Sequence, residues 1–356
     1  MGIVVIRPLQ EQEERLEKIL GHACGGIPID CVIRSPEALE KMLENGELTG
    51  SRLLFALTTG RYGVNENAMA MIGMLRAHEN GLEGAAGGLI VDGDSEWYTK
   101  SLARETALAA NMAGCWMVGR PLAEGTKSLY NYRVLSQQAG CSLSEAYRRA
   151  AGEVAERVLK FRYPAISRPK ILVIHSCEMR TSNTYAAYRQ ILDGLSGEIE
   201  VQEISLRNRM IFDCAGCSYE DCMHYSRDDL CFYGGTITRE VYPALSEADA
   251  LMLLCPNYND ALDANLTAMI NRLTSLFRKK PFYDKCLYAV VVSGYSGSDI
   301  ICSQLIDALN MNKSFVLPGH FCYTKTALAP GSIFEHPDFC ESAKAFARQI
   351  SGQLRG

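Results

Sequence analysis

Residues Leu53 to Leu75 align without a gap on Leu251 to Leu273 at a constant shift of 198, matching Leu53 with Leu251, Asn67 with Asn265, Ala70 with Ala268, Met71 with Met269, Ile72 with Ile270 and Leu75 with Leu273. In a 356-residue chain such a repeat points to two copies of one unit of ordinary domain size. Further pairs extend it. Ile3-Val4-Val5-Ile6 and Ile171-Leu172-Val173-Ile174 are short apolar runs suited to buried parallel strands. Leu89 to Ser95 and Val290 to Ser296 each pass from an apolar run into a polar loop with glycine, and Cys115 to Val118 pairs with Phe315 to Pro318 as a fourth strand, each followed by glycine. Segments of helical period lie between them, at Glu11 to Leu20, Asn67 to Leu75, Lys100 to Met112 and Ser303 to Leu309. This alternation predicts an α/β protein of two tandem doubly wound domains, each a parallel sheet covered on both faces.

Ser142 and Glu145 have capping-box spacing and open a helix expected to run through Leu159, and the proline-containing stretch from Phe161 to Pro169 reads as a linker. The domains are therefore expected at 1–160 and 168–356. Their lengths differ in one place. Residue 3 to residue 53 in the first copy corresponds to residue 171 to residue 251 in the second, which is thirty positions longer. The extra chain contains Cys214, Cys217, Cys222 and Cys231, four of the fourteen cysteines, within eighteen residues of one another.

With 36 basic and 41 acidic residues the net charge is -5, so nothing in the balance draws the chain to nucleic acid or an anionic membrane face. The first residues hold only four consecutive apolar positions and no basic leader, against the roughly 20 a spanning helix needs. The chain is expected to be cytoplasmic and its cysteines reduced. Cys24, Cys31, Cys255, Cys286 and Cys302 lie in apolar runs as small core residues. The polar segment with Cys214, Cys217, Cys222 and Cys231 suits an iron-sulfur cluster, a tetrahedral zinc or redox-active thiols. Nearby His224 reads as a surface histidine, and Asp228-Asp229 as the cap of the next helix.

Open parallel sheets bind ligands beyond the carboxyl ends of their strands, so the loops there decide function. After the first strand of the second copy come Ser176, Arg180, Ser182, Asn183 and Thr184, hydroxyl, amide and guanidinium donors suited to phosphate oxygens at a helix start. No Walker loop or dinucleotide fingerprint is present, which counts against a nucleotide-binding transferase. The corresponding loop of the first copy, Arg7 to Glu14, has three acidic residues and no hydroxyl, and is expected to repel phosphate. Pro256, Asn257, Tyr258 and Asn259 follow the apolar strand that begins near Leu251, and Ser293, Gly294 and Tyr295 the one that begins near Val290, offering backbone amides and two aromatic rings to a planar ligand.

Taken in order, the Ser/Asn/Thr loop, the cysteine segment, the Pro-Asn-Tyr strand end, the helix expected to end at Asn271-Arg272 and the Gly/Ser/Tyr loop resemble the NAD(P)H-dependent FMN reductase family over about residues 170–325. More narrowly, the order resembles iron-sulfur flavoproteins of the flavodoxin-like fold. The resemblance implies two flavodoxin-like domains, the first a degenerate copy lacking the phosphate loop. It also implies FMN phosphate at Ser176, Ser182, Asn183 and Thr184, the isoalloxazine at Pro256 to Asn259 and Ser293 to Tyr295, and a four-iron cluster on the cysteines. His175-Ser176-Cys177-Glu178 stands where the family opens Gly-Ser-Pro-Arg, and the loop is one residue longer. The implied activity passes electrons from NAD(P)H through FMN to a quinone, another small acceptor, a redox protein or an iron-sulfur centre, with no catalytic side chain required. A homo-oligomer fits this picture. The alternative is a non-enzymatic metal- or partner-binding protein with a vestigial flavin site.

Overall fold

The structure, a computed structural model, describes residues 2–9, 13–60 and 62–356. Gln10, Glu11 and Gln12 of the first-copy loop lie outside the described residues. The chain forms two compact units, residues 1–162 with 317–320 and residues 163–316 with 321–356. No helix among the described residues is long and apolar enough to cross a membrane.

The first unit alternates β1 (Ile3–Ile6), α1 (Glu14–Ala23), β2 (Ile29–Ile33), α2 (Pro36–Glu44), β3 (Arg52–Thr58), α3 (Glu66–Ala77), β4 (Ala86–Asp92), α4 (Thr99–Met112) and β5 (Trp116–Gly125), then adds α5 (Arg133–Ala139) and α6 (Leu143–Lys160). Its strands pair in parallel in the order β2-β1-β3-β4-β5. This is the flavodoxin-like order. The central strands β1, β3 and β4 are buried along nearly their whole length and mostly apolar, because helices cover both faces of the sheet. Ser142 caps α6 by accepting a hydrogen bond from the Glu145 amide. Along α6, Ala146, Tyr147, Ala151, Val154, Ala155 and Val158 recur at helical spacing and pack into the core beside Leu54, Ala56 and Ile90.

The second unit repeats the plan with β6 (Lys170–His175), α7 (Asn183–Leu192), β7 (Glu200–Ser205), α8 (Tyr219–Ser226), α9 (Tyr242–Glu247), β8 (Ala250–Pro256), α10 (Ala264–Lys279), β9 (Cys286–Ser293), α11 (Ser298–Leu305), β10 (Cys322–Thr326) and α12 (Phe339–Arg355). Its parallel order, β7-β6-β8-β9-β10, is again flavodoxin-like. The shift of 198 carries both ends of β3 onto those of β8 and the first residue of α3 onto that of α10. Even the caps correspond: Asn65 accepts from the Ala68 amide, and Asp263 from the Asn265 and Leu266 amides.

Three details differ from expectation. The strand expected fourth, at 315–318, is the fifth and lies at 322–326, because β2 and β7 add a strand to each sheet and Val316 makes an isolated bridge to Cys286. The chain leaves the sheet between them through His320, whose backbone is left-handed at φ 53°, and pairing resumes at Cys322 opposite Ala289. The first unit has the same interruption: pairing of Met117 with Gly87 gives way to Leu122 with Leu89 across a left-handed Arg120 at φ 50°. Helix α10 continues past Asn271-Arg272 to Lys279, because Leu273 and Leu276 extend its buried face. Asp228-Asp229 follow α8 instead of capping a helix. Ser218 caps α8, and Asp229 pairs with Lys279 at 2.7 Å.

Candidate functional site

Because β6, β8 and β9 are parallel neighbours, their following loops, residues 176–182, 257–263 and 294–297, emerge at one edge of the sheet. The first begins at His175, whose fully buried ring accepts from the Cys177 amide through Nδ1 and contacts Glu203 Oε1 through Nε2, each at 3.1 Å. That pattern leaves the ring proton on Nε2. Burial pushes the imidazole below its ordinary range, with Glu203 opposing, so the ring is held neutral. Burial likewise pushes the Cys177 thiol up to about 12, leaving a packed thiol rather than a nucleophile.

Ser182 caps α7, accepting from the Tyr185 amide at 3.2 Å. Asn183 is buried and spans to the loop after β10: its Nδ2 donates to the Ala327 and Ala329 carbonyls, and its Oδ1 accepts from the Gly331 amide at 2.9 Å. Thr184 is buried in the first turn of α7, and Arg180 is exposed. Ser176 differs from all of these. It is 7% exposed, and its hydroxyl has no hydrogen-bond partner among the described residues.

Asn257 joins the other two loops. Its Nδ2 lies 3.1 Å from Ser293 Oγ, from the Ser296 carbonyl and from Asp260 Oδ1, while its Oδ1 accepts from the Asp260 amide at 2.8 Å. The turn it organises places Asn259 and Asp260 in left-handed backbone, φ 56° at each, which Asn and Asp tolerate better than most residues. Ser293 is buried and bonds Ser298 Oγ at 2.9 Å. Tyr258 and Tyr295 stand exposed at 53% and 78%, large rings left on the surface of the same edge. Pro256 closes β8, fully within the sheet, and Gly294 lies where an added Cβ would meet Leu328 Cδ1 at 2.8 Å.

The cysteine segment is the crossover between β7 and β8, and α10 holds it in place. Arg272 donates to the Phe212 and Gly234 carbonyls, Ser275 to the Leu230 carbonyl and Arg278 to the Tyr219 carbonyl. Asn271 Nδ2 donates to Asp213 Oδ1, which also accepts from the Cys214 amide. Cys214, Cys217, Cys222 and Cys231 line one cavity of about 100 Å³ with Asn271 and Arg278. Burial raises the Cys222 thiol, with Arg278 opposing. Among the described residues no group of three or more His, Cys, Asp or Glu stands at metal-ligating separations. His224 is exposed and meets Tyr225 edge-on.

This edge, with a helix start, an unsatisfied hydroxyl and two exposed rings, is suited to a ligand with an anionic end and a planar one. Residues 169–327 match the NADPH-dependent FMN reductase family. The match runs from the residue before β6 to the residue after β10 and takes in all three loops and the cysteine crossover. No curated protein matches the chain. Solved structures similar to it include an NAD(P)H:quinone oxidoreductase from Methanothermobacter marburgensis, at 13% identity over 53% of this chain and 98% of that one, with a TM-score of 0.37. An FMN-dependent NADH-azoreductase from Bacillus anthracis is similar at 10% identity over 53% of this chain and 100% of that one, with a TM-score of 0.34.

The expected FMN reductase loops thus come together, but their residues divide. Asn183, Asn257 and Ser182 spend their side chains on holding loops, while Ser176, Tyr258 and Tyr295 remain available. Glu203 behind His175 and the 327–331 loop behind Asn183 were not singled out from sequence. Asp260 had a local signal in its spacing from Asn257, but Asn183 and Ala329 are 146 residues apart and carry none.

Proposed function

We propose that the second unit binds FMN at the edge formed by residues 176–184, 256–259 and 293–295, and uses it as an NAD(P)H-dependent oxidoreductase. The observation that carries this reading is Ser176 within the family match: a buried hydroxyl without a partner is a cost to the fold unless a ligand satisfies it. The Ser176 hydroxyl and the amides at the start of α7 would hold the phosphate, with Arg180 adding charge. Ser182 and Asn183 keep that loop in shape. Tyr258 and Tyr295 would flank the ring, and Asn257 would fix the distance between their loops. When bound, FMN supplies the redox chemistry, taking a hydride from NAD(P)H and passing electrons to a quinone or another small acceptor. The protein orients it and excludes competing reactions. In the wider reading the units are domains of residues 1–160 and 168–356, the first without a phosphate loop, in a cytoplasmic protein able to self-associate.

Titrating the full chain with FMN tests this. Saturable quenching of flavin fluorescence at one FMN per chain is expected, and Ser176→Ala should weaken it by about 10- to 100-fold, the loss of one hydrogen bond to a charged group. A chain that leaves flavin fluorescence unchanged at saturating concentration overturns the proposal.

The cysteine segment supports a finer reading. Four soft donors lining one cavity suit a four-iron cluster, and the spacing of the thiols requires the segment to tighten around it. Cys214, Cys217, Cys222 and Cys231 would be its ligands, with zinc the competing metal. Protein purified without oxygen should carry about four irons and four sulfides per chain, the composition of such a cluster, and Cys217→Ser should lose them. Stoichiometric zinc without iron would overturn the cluster.

A further inference from the structure

Residues 1–162 of the first unit lie outside the family match and have a cleft of their own. It opens at the carboxyl edge of the sheet, between the ends of β3, β4 and β5, has a volume of about 390 Å³, and is lined by Arg15, Thr58, Thr59, Asp92, Asp94 and Lys127 among others. That is the size of small-molecule sites, and the edge at which open α/β sheets bind ligands.

Two features mark the cleft as built. Thr58 and Thr59 are 6% and 1% exposed, yet neither hydroxyl has a hydrogen-bond partner among the described residues. Adjacent buried hydroxyls left unsatisfied are a cost that a ligand would remove. Gly93 keeps Thr59 clear: a Cβ there would lie 3.0 Å from Thr59 Oγ1 and 2.7 Å from Thr99 Cγ2. The second feature is Arg15. Its Nε bonds both Asp92 oxygens, at 3.0 and 2.9 Å, and its Nη2 donates to the Gly93 and Gly125 carbonyls. These contacts fix the guanidinium and, among the described residues, leave Nη1 with a long 3.5 Å contact to the Lys127 carbonyl. Tyr147 supports Asp92 from behind at 3.1 Å, and burial pushes that carboxyl above its ordinary range.

The ligand class follows from the lining. Two hydroxyls, Arg15 Nη1 and the exposed Lys127 ammonium are donors, whereas Asp92 is already occupied by Arg15 and Tyr147, and Asp94 is a rim carboxylate. Formal charges of Arg15 and Lys127 against Asp92 and Asp94 cancel, which is poor for a phosphate dianion and acceptable for one negative charge. We propose that this cleft binds a small organic carboxylate, its oxygens taking hydrogen bonds from Thr58 and Thr59 at the cleft floor, with the Lys127 ammonium at the rim. The site is independent of the flavin reading of the second unit.

Acetate, propionate and lactate, each paired with its neutral amide, are the probes for calorimetric titration and thermal melting of the full chain. At least one carboxylate should bind saturably at one per chain and raise the melting temperature, while its amide does neither. The Thr58→Val, Thr59→Val double variant should lose about tenfold or more in affinity and, without probe, melt no lower than the parent. Lys127→Gln, at an exposed position, should weaken binding without changing the unliganded melt. Any of four results overturns the proposal: no carboxylate binds, amides bind as well, the valine variant binds equally, or its unliganded melting temperature falls sharply.

Discussion

Replacing Arg272 with methionine is expected to release the cysteine-bearing crossover from α10 while the sheet stays folded. Arg272 is 3% exposed and is the only α10 side chain that ties together both ends of the segment, at Phe212 and Gly234, among the described residues. Methionine retains apolar bulk along the helix but donates to neither carbonyl. Hydrogen bonds from a charged donor contribute about 1.5–3 kcal/mol each, so a local loss of about 3 kcal/mol is expected after allowing for the longer 3.4 Å contact. Amide hydrogen exchange is the appropriate measurement. Amides in 207–235 should exchange about 100-fold faster, the factor that free energy implies, while those of β8 and β9 keep their protection. Uniform acceleration across the second unit would mean that Arg272 supports the core as a whole.

The second large effect is expected at Gly297. Its φ of 88° is strained for any residue with a side chain, and an added Cβ would stand 2.1 Å from Asp260 Oδ1 and 2.9 Å from Asn257 Nδ2. Gly297→Ala therefore pushes apart the two loops that Asn257 joins. The expected cost is about 2–4 kcal/mol of stability, from backbone strain and the broken ties, together with at least about tenfold weaker FMN binding. A Gly297→Ala, Asp260→Ala double variant separates the causes. Removing the Asp260 carboxylate should restore part of the stability if the collision dominates, and none if backbone strain does. Chemical denaturation of the single and double variants reads the difference.

What was legible in the sequence was what is decided locally. A buried strand reads as an apolar run, and a helix start reads as its cap, so β3 with α3 and β8 with α10 could be placed on one another residue by residue. The loops of the second sheet were legible for the same reason, since each follows directly on its strand. The fifth strands were not. Their pairing is broken by a left-handed residue, Arg120 or His320, and nothing in Phe315 to Pro318 shows that the longer ladder resumes at Cys322. The individual roles of Asn183 and Asn257 were equally hidden, because amides competent to bind phosphate or flavin are also competent to tie loops. The cleft of the first unit was missed for a related reason. The loop after β1 carries no sign of it, because its unsatisfied hydroxyls stand at the end of β3 and its guanidinium comes from α1, 77 residues before the carboxylate it grips.

Asn183 also bears on when the protein becomes competent. Among the described residues its side chain is satisfied by residues 327 to 331, so the turn that begins α7 acquires its final form only once partners 144 to 148 residues further along the chain have been made. Contacts of such sequence separation form late, because a long loop must close before they return any stabilisation. A chain emerging from the ribosome can assemble β6, β7 and β8 well before that point, but the edge proposed for FMN stays open until β10 and the following loop have docked. Flavin capture would then follow the closing of that loop rather than assist the first steps of folding.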